Sequence, residues 1–207
     1  MMTDLYEASA EKTSAGYERE LRAAVRGAWM RVLTYDQFLD SFGYSIERGL
    51  TQAWIAGAAA EGIGVDEFTF AEQMELRKHI LSDRMFMGGF ADQIFNFKSK
   101  DQGGKLQHHF DRLKAWVNHW WEVFGLARAL AAKDKKMKFA RVKATKNPCR
   151  SCLGLEGRVY RNSTWLEYNC VPPTRATDCG GYNCGHRLLP TDDRITPGKF
   201  PVGLLAR

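Results

Sequence analysis

The residues of this chain with the clearest chemistry are cysteines and a histidine near its end. All five cysteines lie between Cys149 and Cys184, and residues 1–148 contain none. Four of them form two pairs of short spacing, Cys149-x-x-Cys152 and Cys179-x-x-x-x-Cys184, and His186 follows the second pair. Zn²⁺ binds four nitrogen or sulfur ligands tetrahedrally, and two tight turns can each supply two of them. The spacing therefore predicts a structural zinc site.

Five residues compete for the four positions of such a site. Cys149 and Cys152 form the strongest pair, and Cys179 and Cys184 form the second. His186 competes for the fourth position, because Cys184-Gly-His186 could present both side chains from one turn. The alternatives are a disulfide, or thiols that lie near one another without a metal.

The remaining cysteine and the N-terminal composition bear on the choice between metal and disulfide. Cys170 matches neither pair and is interpreted as a free thiol or a small buried hydrophobic residue. Residues 1–12 are polar and lack the apolar region of a secretory signal, and no stretch approaches about 18 uninterrupted apolar residues. We therefore expect a soluble protein without membrane contact, made in a reducing compartment. There thiolates hold metal ions more often than they form disulfides.

Helical periodicity dominates the first two thirds of the chain. Apolar residues recur at three- and four-residue steps in segments 17–33, 36–62 and 106–127. This spacing predicts helices that each bury one face. The run Ala-Gly-Ala-Ala-Ala at 56–60 would allow a close contact between two helices, because small side chains let backbones approach.

A further helix is predicted to begin near residue 69. Thr69-Phe-Ala-Glu72 has the form of a capping box, in which each side chain satisfies the backbone N–H of the other. The helix is expected to bend or break at Gly88-Gly89. Most large rings in this region are interpreted as core. Some within 86–97 and 116–121 are candidates for contact with a partner subunit.

Past Cys152 the pattern changes to turns and short strands. Gly157 precedes a short strand at 158–160, Pro172-Pro173 cannot continue a helix, and residues 188–190 predict a returning strand. A small cysteine module with few core residues needs a staple, which a metal would supply. The predicted fold class is therefore mainly α, with a helical domain and a small C-terminal zinc-stapled β-hairpin module.

The length supports this division. A chain of 207 residues suits one domain, or a larger helical domain with a small appended module. The predicted segments are a flexible N-terminus at 1–16, a helical domain at 17–132, a basic connector at 133–147, a Cys/His zinc-binding module at 148–192 and an extended C-terminal arm at 193–207.

The connector carries most of the local positive charge. It contains seven basic residues and one acid between the last long helix and the first cysteine pair. Lysine and arginine at this density can contact phosphates with salt-dependent affinity, although a solvated helix end or a connecting strand has the same composition. The net charge of +6 permits an acidic partner without requiring one. The candidate contacts to nucleic acid or an acidic partner are Lys133, Lys135, Lys136, Lys138, Arg141, Lys143 and Lys146.

The sequence shows no catalytic motif. It contains no P-loop, no nucleophile elbow and no His-Glu-x-x-His helix. The candidate ligands suffice to close a zinc site, whereas a catalytic zinc needs an open coordination position. We therefore expect no enzymatic activity. The remaining histidines lie on helical patterns without an accompanying acid–base motif, and they are His79, His108, His109 and His119.

The C-terminal motif resembles that of a known family. A helical region, a basic segment, a Cys-x-x-Cys, a glycine-containing hairpin, a proline-rich approach and a closing Asn-Cys-x-(Cys/His)-x-Leu-x-Pro are similar to the C-terminal part of the phage Mu F-like head morphogenesis proteins, also called minor head proteins. The resemblance covers about residues 113–192, and the N-terminal helices match only in being helical. The residues that carry it are Cys149, Cys152, Leu155, Gly157, Pro172, Pro173, Asn183, Cys184, His186, Leu188 and Pro190.

The motif departs from the family pattern at its ligands. The family usually closes with Cys-x-Cys, preceded three residues earlier by a histidine. Here His186 takes the last place and Gly181 takes the earlier one. Cys179, two residues further upstream, keeps the number of possible ligands unchanged.

The resemblance implies a virion structural protein that is assembled in the host cytoplasm. It would be a minor head protein near the portal or connector, acting in capsid assembly and genome packaging. Its partners would be portal, connector or capsid proteins, with genomic DNA at the basic segment, and it would be oligomeric in the particle. The resemblance implies no catalytic residues. The alternative function is a zinc-ribbon nucleic-acid-binding regulator, for which we expect tight binding with a steep dependence on salt.

Overall fold

A computed structural model describes residues 2–132, 135–142, 148–174, 176–181 and 184–205. It is mainly α with a small antiparallel sheet near the C-terminus, which confirms the predicted fold class. The helices are α1 (Met2–Trp29), α2 (Tyr35–Ala59), α3 (Phe70–Met85), α4 (Met87–Asp92), α5 (Leu106–Ala131), α6 (Arg150–Leu155) and α7 (Asn162–Glu167). The strands are β1 (Lys136–Arg141), β2 (Val159–Arg161) and β3 (His186–Pro190). Among the helices of these described ranges, none combines the length and the apolar composition needed to cross a bilayer.

The helical unit, residues 2–132, is built around α2. This helix packs against both α1 and α5. Its predicted apolar stripe is confirmed, because every member is buried in one continuous core shared with α1 and α5. The members of the stripe are Phe38, Phe42, Ile46, Leu50 and Trp54.

The N-terminal boundary differs from the expectation. The polar composition of residues 1–16 predicts a flexible segment, whereas α1 begins at Met2. Ala10 and Ser14 are buried. These small side chains lie at helical spacing before Tyr17, so they extend the buried face of α1 toward its N-terminus.

Helices α2 and α5 approach most closely at Gly57. A methyl group built on Gly57 would overlap the backbone carbonyl oxygen of Phe124 and would lie 3.0 Å from the Cβ of Ala127. The contact is backbone to backbone, so no flexible side chain can move aside. The small residues at 56–60 therefore allow the close contact between two helices that their composition predicted.

Gly57→Ala is expected to destabilise the protein by about 1–3 kcal/mol, because the added methyl group overpacks a rigid contact. Urea unfolding followed by circular dichroism measures the change. Gly88→Ala is the matched control, since nothing lies within 4 Å of a methyl group at that position of α4. The control is expected to be neutral or slightly stabilising. Equal losses in the two variants would contradict the close contact.

The capping box at the start of α3 is confirmed. The Thr69 hydroxyl accepts a hydrogen bond from the Glu72 backbone N–H, and the Glu72 carboxylate accepts one from the Thr69 backbone N–H at 2.8 Å. The helix is interrupted at Phe86, two residues before the expected Gly88-Gly89 break. A π-helical turn, Gln93–Phe97, then leads out of α4.

The large rings of this region divide into two groups. Phe90, Trp116 and Trp120 are buried in the core of the helical unit, as most of the rings were predicted to be. Phe86 and Phe97 are exposed. Contact of these two rings with a partner subunit stays a prediction.

The C-terminal unit, the described residues from 135 to 205, is built on a sheet with strand order β2-β1-β3 and antiparallel pairing throughout. The two strands expected near 158–160 and 188–190 are present, but each pairs with β1 and not with the other. The central strand is thus formed by the segment interpreted as a connector. Met137 and Phe139 point into the unit in the alternation typical of a half-buried strand.

The core of the C-terminal unit is aromatic. Trp165 is fully buried, and its indole N–H donates a hydrogen bond to the Met137 carbonyl oxygen at 3.0 Å. Phe200, in the segment expected to be an extended arm, is also buried, and it stacks on Tyr168 with ring centroids 4.4 Å apart. This arm therefore packs on its own unit through an aromatic contact.

The two units meet at the end of α5, where one buried carboxylate pairs with a basic residue of each unit. The carboxylate of Glu61, just after α2, accepts hydrogen bonds from Arg128 at 2.9 Å and from Lys135 at 2.6 Å. The Glu61 side chain is only 2% exposed. Helix α5 itself contributes to both cores, because Ala127 packs in the helical unit while Ala129 and Ala132 pack in the C-terminal unit.

Candidate metal centre

The first cysteine pair lies at the beginning of α6. Cys149 is the N-cap residue, and its sulfur accepts a hydrogen bond from the Cys152 backbone N–H at 3.4 Å. A cap followed by one helical turn brings residues i and i+3 to the same side. The Cys-x-x-Cys spacing therefore presents both sulfurs toward one point.

The second pair is delivered by a tight turn and by the chain that leads into β3. Gly180 and Gly181 have φ of 57° and 78°, values that glycine adopts without steric cost. Asp178 ties this loop to α6. Its carboxylate accepts a hydrogen bond from the Ser151 backbone N–H at 3.1 Å, and its own backbone N–H donates to the Ser151 hydroxyl at 3.0 Å. The reciprocal bonds hold the turn against the first pair.

The ligand atoms of the five candidates form two overlapping groups. One contains Cys149, Cys152 and Cys179, and the other contains Cys152, Cys184 and His186, with the atoms of each group within 4.8 Å of one another. Throughout the described part of the chain, no other three or more histidine, cysteine or acidic side chains come this close. Cys152 belongs to both groups and lies at the centre of the cluster.

The sulfur separations match those of a tetrahedral metal site. The Cys152 sulfur lies 4.0 Å from that of Cys179 and 3.8 Å from that of Cys184. Two sulfurs on one tetrahedral ion with bonds of about 2.3 Å would be about 3.8 Å apart. A disulfide needs about 2.05 Å between sulfurs, and all five thiols are free. The cluster could therefore hold a metal ion.

The residues around His186 orient its imidazole ring for binding to a metal ion. Its Nδ1 lies 3.9 Å from the Cys184 sulfur, while its Nε2 lies 3.5 Å from the Glu156 carboxylate. Arg141 donates a hydrogen bond to the same carboxylate oxygen at 2.5 Å. Metal-binding histidines commonly direct their second nitrogen at a carboxylate, which fixes the tautomer. Burial lowers the pKa of His186, which favours the neutral imidazole that binds metal.

The thiols of the cluster are electrostatically coupled. The hydrogen bond with Cys152 lowers the pKa of the Cys179 thiol, and the same hydrogen bond raises the pKa of the Cys152 thiol. The two sulfurs thus compete for one shared proton. A cation that replaces this proton would let both sulfurs ionise, which is what a metal ion does on binding thiols.

Cys170 lies away from the cluster. It is fully buried among the apolar side chains of the C-terminal unit. Burial raises the pKa of its thiol to about 12. Its interpretation as a small buried hydrophobic residue is confirmed.

The structure describes only some of the basic residues that were predicted to contact nucleic acid or an acidic partner. Lys133, Lys143 and Lys146 lie outside the described residues, as does Asn183 of the family motif. The other basic residues are engaged within the chain. Lys135 contacts Glu61, Lys136 donates hydrogen bonds to the carbonyl oxygens of Asp192 and Asp193, Lys138 pairs with Asp193, and Arg141 pairs with Glu156.

Comparison of the chain with protein-family models, with curated proteins and with solved structures finds no match. The assignment of a function therefore depends on the geometry of the cysteine cluster and on the C-terminal motif.

Two supporting residues of the cluster were missed by the sequence analysis. Asp178 and Glu156 stand in no recognised metal motif, and neither their type nor their spacing distinguishes them from surface acids. Asp178 lies next to Cys179, and an acid beside a candidate ligand in a glycine-rich turn is the one signal that could have indicated it. Glu156 could not have been found without the pairing of β1 with β3.

Proposed function

We propose that the cysteine cluster binds one Zn²⁺ ion as a structural element. Cys152 is the central ligand, and Cys179 and Cys184 flank it at 4.0 and 3.8 Å. Cys149 completes one group of neighbours and His186 the other. Thiolate and imidazole ligands in tetrahedral spacing favour zinc over the harder divalent cations.

The proposed role of the ion is to hold the C-terminal unit together. The candidate ligands come from the start of α6, from the turn at Cys179 and from the beginning of β3. These elements lie far apart in the sequence, and the core they enclose is small, so a metal would supply stability that the core alone cannot. Four protein ligands leave no open position on the ion, and we accordingly propose a non-enzymatic protein.

We propose that the protein is a phage virion structural component, a minor head protein that acts near the portal or connector in capsid assembly and genome packaging. The observation that carries this proposal is the convergence of the motif residues on one site. Leu155 and Leu188 are buried in the same small core as Cys152, and Gly157 takes the turn conformation with φ 82° before β2. These described residues of the resemblance lie together in one small unit.

The alternative is a zinc-ribbon nucleic-acid-binding regulator. Such a protein needs basic side chains that are available to phosphates. Lys135, Lys138 and Arg141 each pair with a carboxylate, which reduces the charge that they could offer. This pairing favours the virion proposal over the regulator.

The two functions share a zinc ion and are distinguished by the mass and the DNA binding of the purified protein. For the virion protein we expect about one zinc per chain by elemental analysis, a discrete oligomer by light scattering, and weak DNA binding. Mass spectrometry of purified phage particles encoding the chain should detect it at low copy number. A metal-containing monomer that binds DNA tightly, with a steep loss of affinity as salt rises, would support the regulator and overturn the virion proposal.

A further inference from the structure

A cleft of about 540 Å³ lies between the helical unit and the loop that carries Cys179. Its walls include Asp83 of α3, Trp116 and His119 of α5, and Gly180 of the loop. The residues that line the cleft do not include the candidate ligands of the cysteine cluster. At its edge the structure brings together two histidines that the sequence analysis left without a role.

His79 of α3 and His119 of α5 face each other across the two helices. The Nδ1 atom of His79 lies 2.8 Å from the Nε2 atom of His119. Their side chains are 18% and 12% exposed, so both rings are largely enclosed, and His119 lines the cleft. Because each histidine belongs to a long helix, the backbone fixes the position of both nitrogens.

The outer nitrogen of each ring faces a carboxylate. The Nδ1 atom of His119 lies 2.7 Å from the Asp83 carboxylate, and the Nε2 atom of His79 lies 3.8 Å from that of Glu75. A carboxylate favours the proton on the nitrogen that faces it. The two inner nitrogens face each other at 2.8 Å, where they share a proton in a hydrogen bond that a metal ion could replace.

Asp83 adds a buried negative charge to this site. It is 8% exposed, and its second oxygen, Oδ2, is buried without a hydrogen-bond partner. A buried carboxylate with one unpaired oxygen is costly, and a positive charge nearby reduces that cost. Proximity to Asp83 therefore favours a cation on the histidine pair.

We propose that His79 and His119 bind a divalent transition-metal ion of the class that prefers imidazole, namely Zn²⁺, Ni²⁺, Co²⁺ or Cu²⁺. His79 ligates through Nδ1 and His119 through Nε2, with Glu75 and Asp83 orienting the rings as outer partners. Two nitrogens on one tetrahedral ion with bonds of about 2.0–2.1 Å stand about 3.3 Å apart, so the rings separate by about 0.5 Å on binding. The remaining positions of the ion face the cleft and are open to water.

The site would connect α3 to α5 and would be independent of the cysteine cluster. Helix α3 buries little of its surface, and Asp83 is its one residue described as buried. An ion bridging the two helices would therefore stabilise the least firmly packed long helix of the unit.

Nickel titration of the zinc-loaded full chain tests the proposal. After one equivalent of zinc is loaded and excess ion removed, calorimetry is expected to show one further equivalent of Ni²⁺ bound, with the zinc content unchanged by elemental analysis. Ni²⁺ is also expected to raise the melting temperature. His79→Gln and His119→Gln should each abolish the second equivalent, and Asp83→Asn should weaken it about 10- to 100-fold.

His108→Gln is the matched control. His108 is an exposed histidine that also lines the cleft, and it contacts Lys98 instead of the histidine pair. This variant is expected to bind Ni²⁺ as the unaltered protein does. If the unaltered protein takes up no nickel beyond the cysteine cluster, or if His79→Gln and His108→Gln bind it equally, the pair is only an interhelical hydrogen bond and the proposal is wrong. Should His119→Gln fail to fold, the more exposed His79 still decides the outcome.

Discussion

Replacing Cys152 with serine is expected to remove the bound metal and to unfold the C-terminal unit while the helical unit stays folded. Cys152 belongs to both groups of candidate ligands, so neither group stays complete without it. The loss is expected to exceed ~3 kcal/mol, because structural zinc in small domains contributes about 10–16 kcal/mol to folding. Elemental analysis measures the metal, and tryptophan fluorescence, which includes the buried Trp165, follows the unfolding.

Cys170→Ala is the control for the loss of a thiol. It also removes a buried sulfur from the C-terminal unit, but one that lies outside the cluster. We expect this variant to keep its metal and to lose only about 1 kcal/mol from the smaller side chain. A Cys152→Ser protein that keeps its metal and melts at the same temperature would exclude a structural metal at this cluster.

Glu61→Gln is expected to destabilise the helical unit by about 3–5 kcal/mol, because it removes the carboxylate that pairs with the buried guanidinium of Arg128. The Glu61 and Arg128 side chains are 2% and 5% exposed, so water can compensate little of the lost interaction. Urea unfolding monitored by circular dichroism measures the free energy of unfolding. The change should also lower the cooperativity of unfolding, because Glu61 binds Lys135 at the entry to β1.

A surface ion pair provides the comparison for this result. Glu47 lies 3.6 Å from Arg84, and the two side chains are 58% and 48% exposed. Glu47→Gln is expected to change stability by less than about 1 kcal/mol, since exposed pairs are screened by water. Similar losses in Glu61→Gln and Glu47→Gln would mean that the stability of the helical unit does not depend on the buried pair.

The helical half of the fold could be predicted because its signals are local. The stripe from Phe38 to Trp54 follows one period, and Thr69 and Glu72 satisfy each other within one turn. The sheet could not be predicted as well, because strand pairing joins distant residues. The charge of Lys136 and Lys138 concealed that this segment is the central strand, whose buried positions are only Met137 and Phe139.

The cluster was predictable for a related reason. Cysteines that cluster in a sequence usually serve as metal ligands or disulfide partners. The spacing from Cys149 to Cys152 is set by one helical turn. The histidine pair has no such local signal. His79 and His119 are separated by forty residues, and they meet only because α3 and α5 pack side by side.

The end of α5 has a practical consequence for work on fragments. Its last turns supply Ala127 to one core and Ala129 and Ala132 to the other, and Glu61 reaches across from α2 to Arg128. A truncation placed in the basic segment, where composition suggests a boundary, would strip the cysteine-bearing half of part of its apolar wall. A recombinant fragment intended for isotope labelling or crystallisation of that half has to include the last turn of α5. The boundary suggested by the charge pattern is thus not the boundary along which the molecule can be divided.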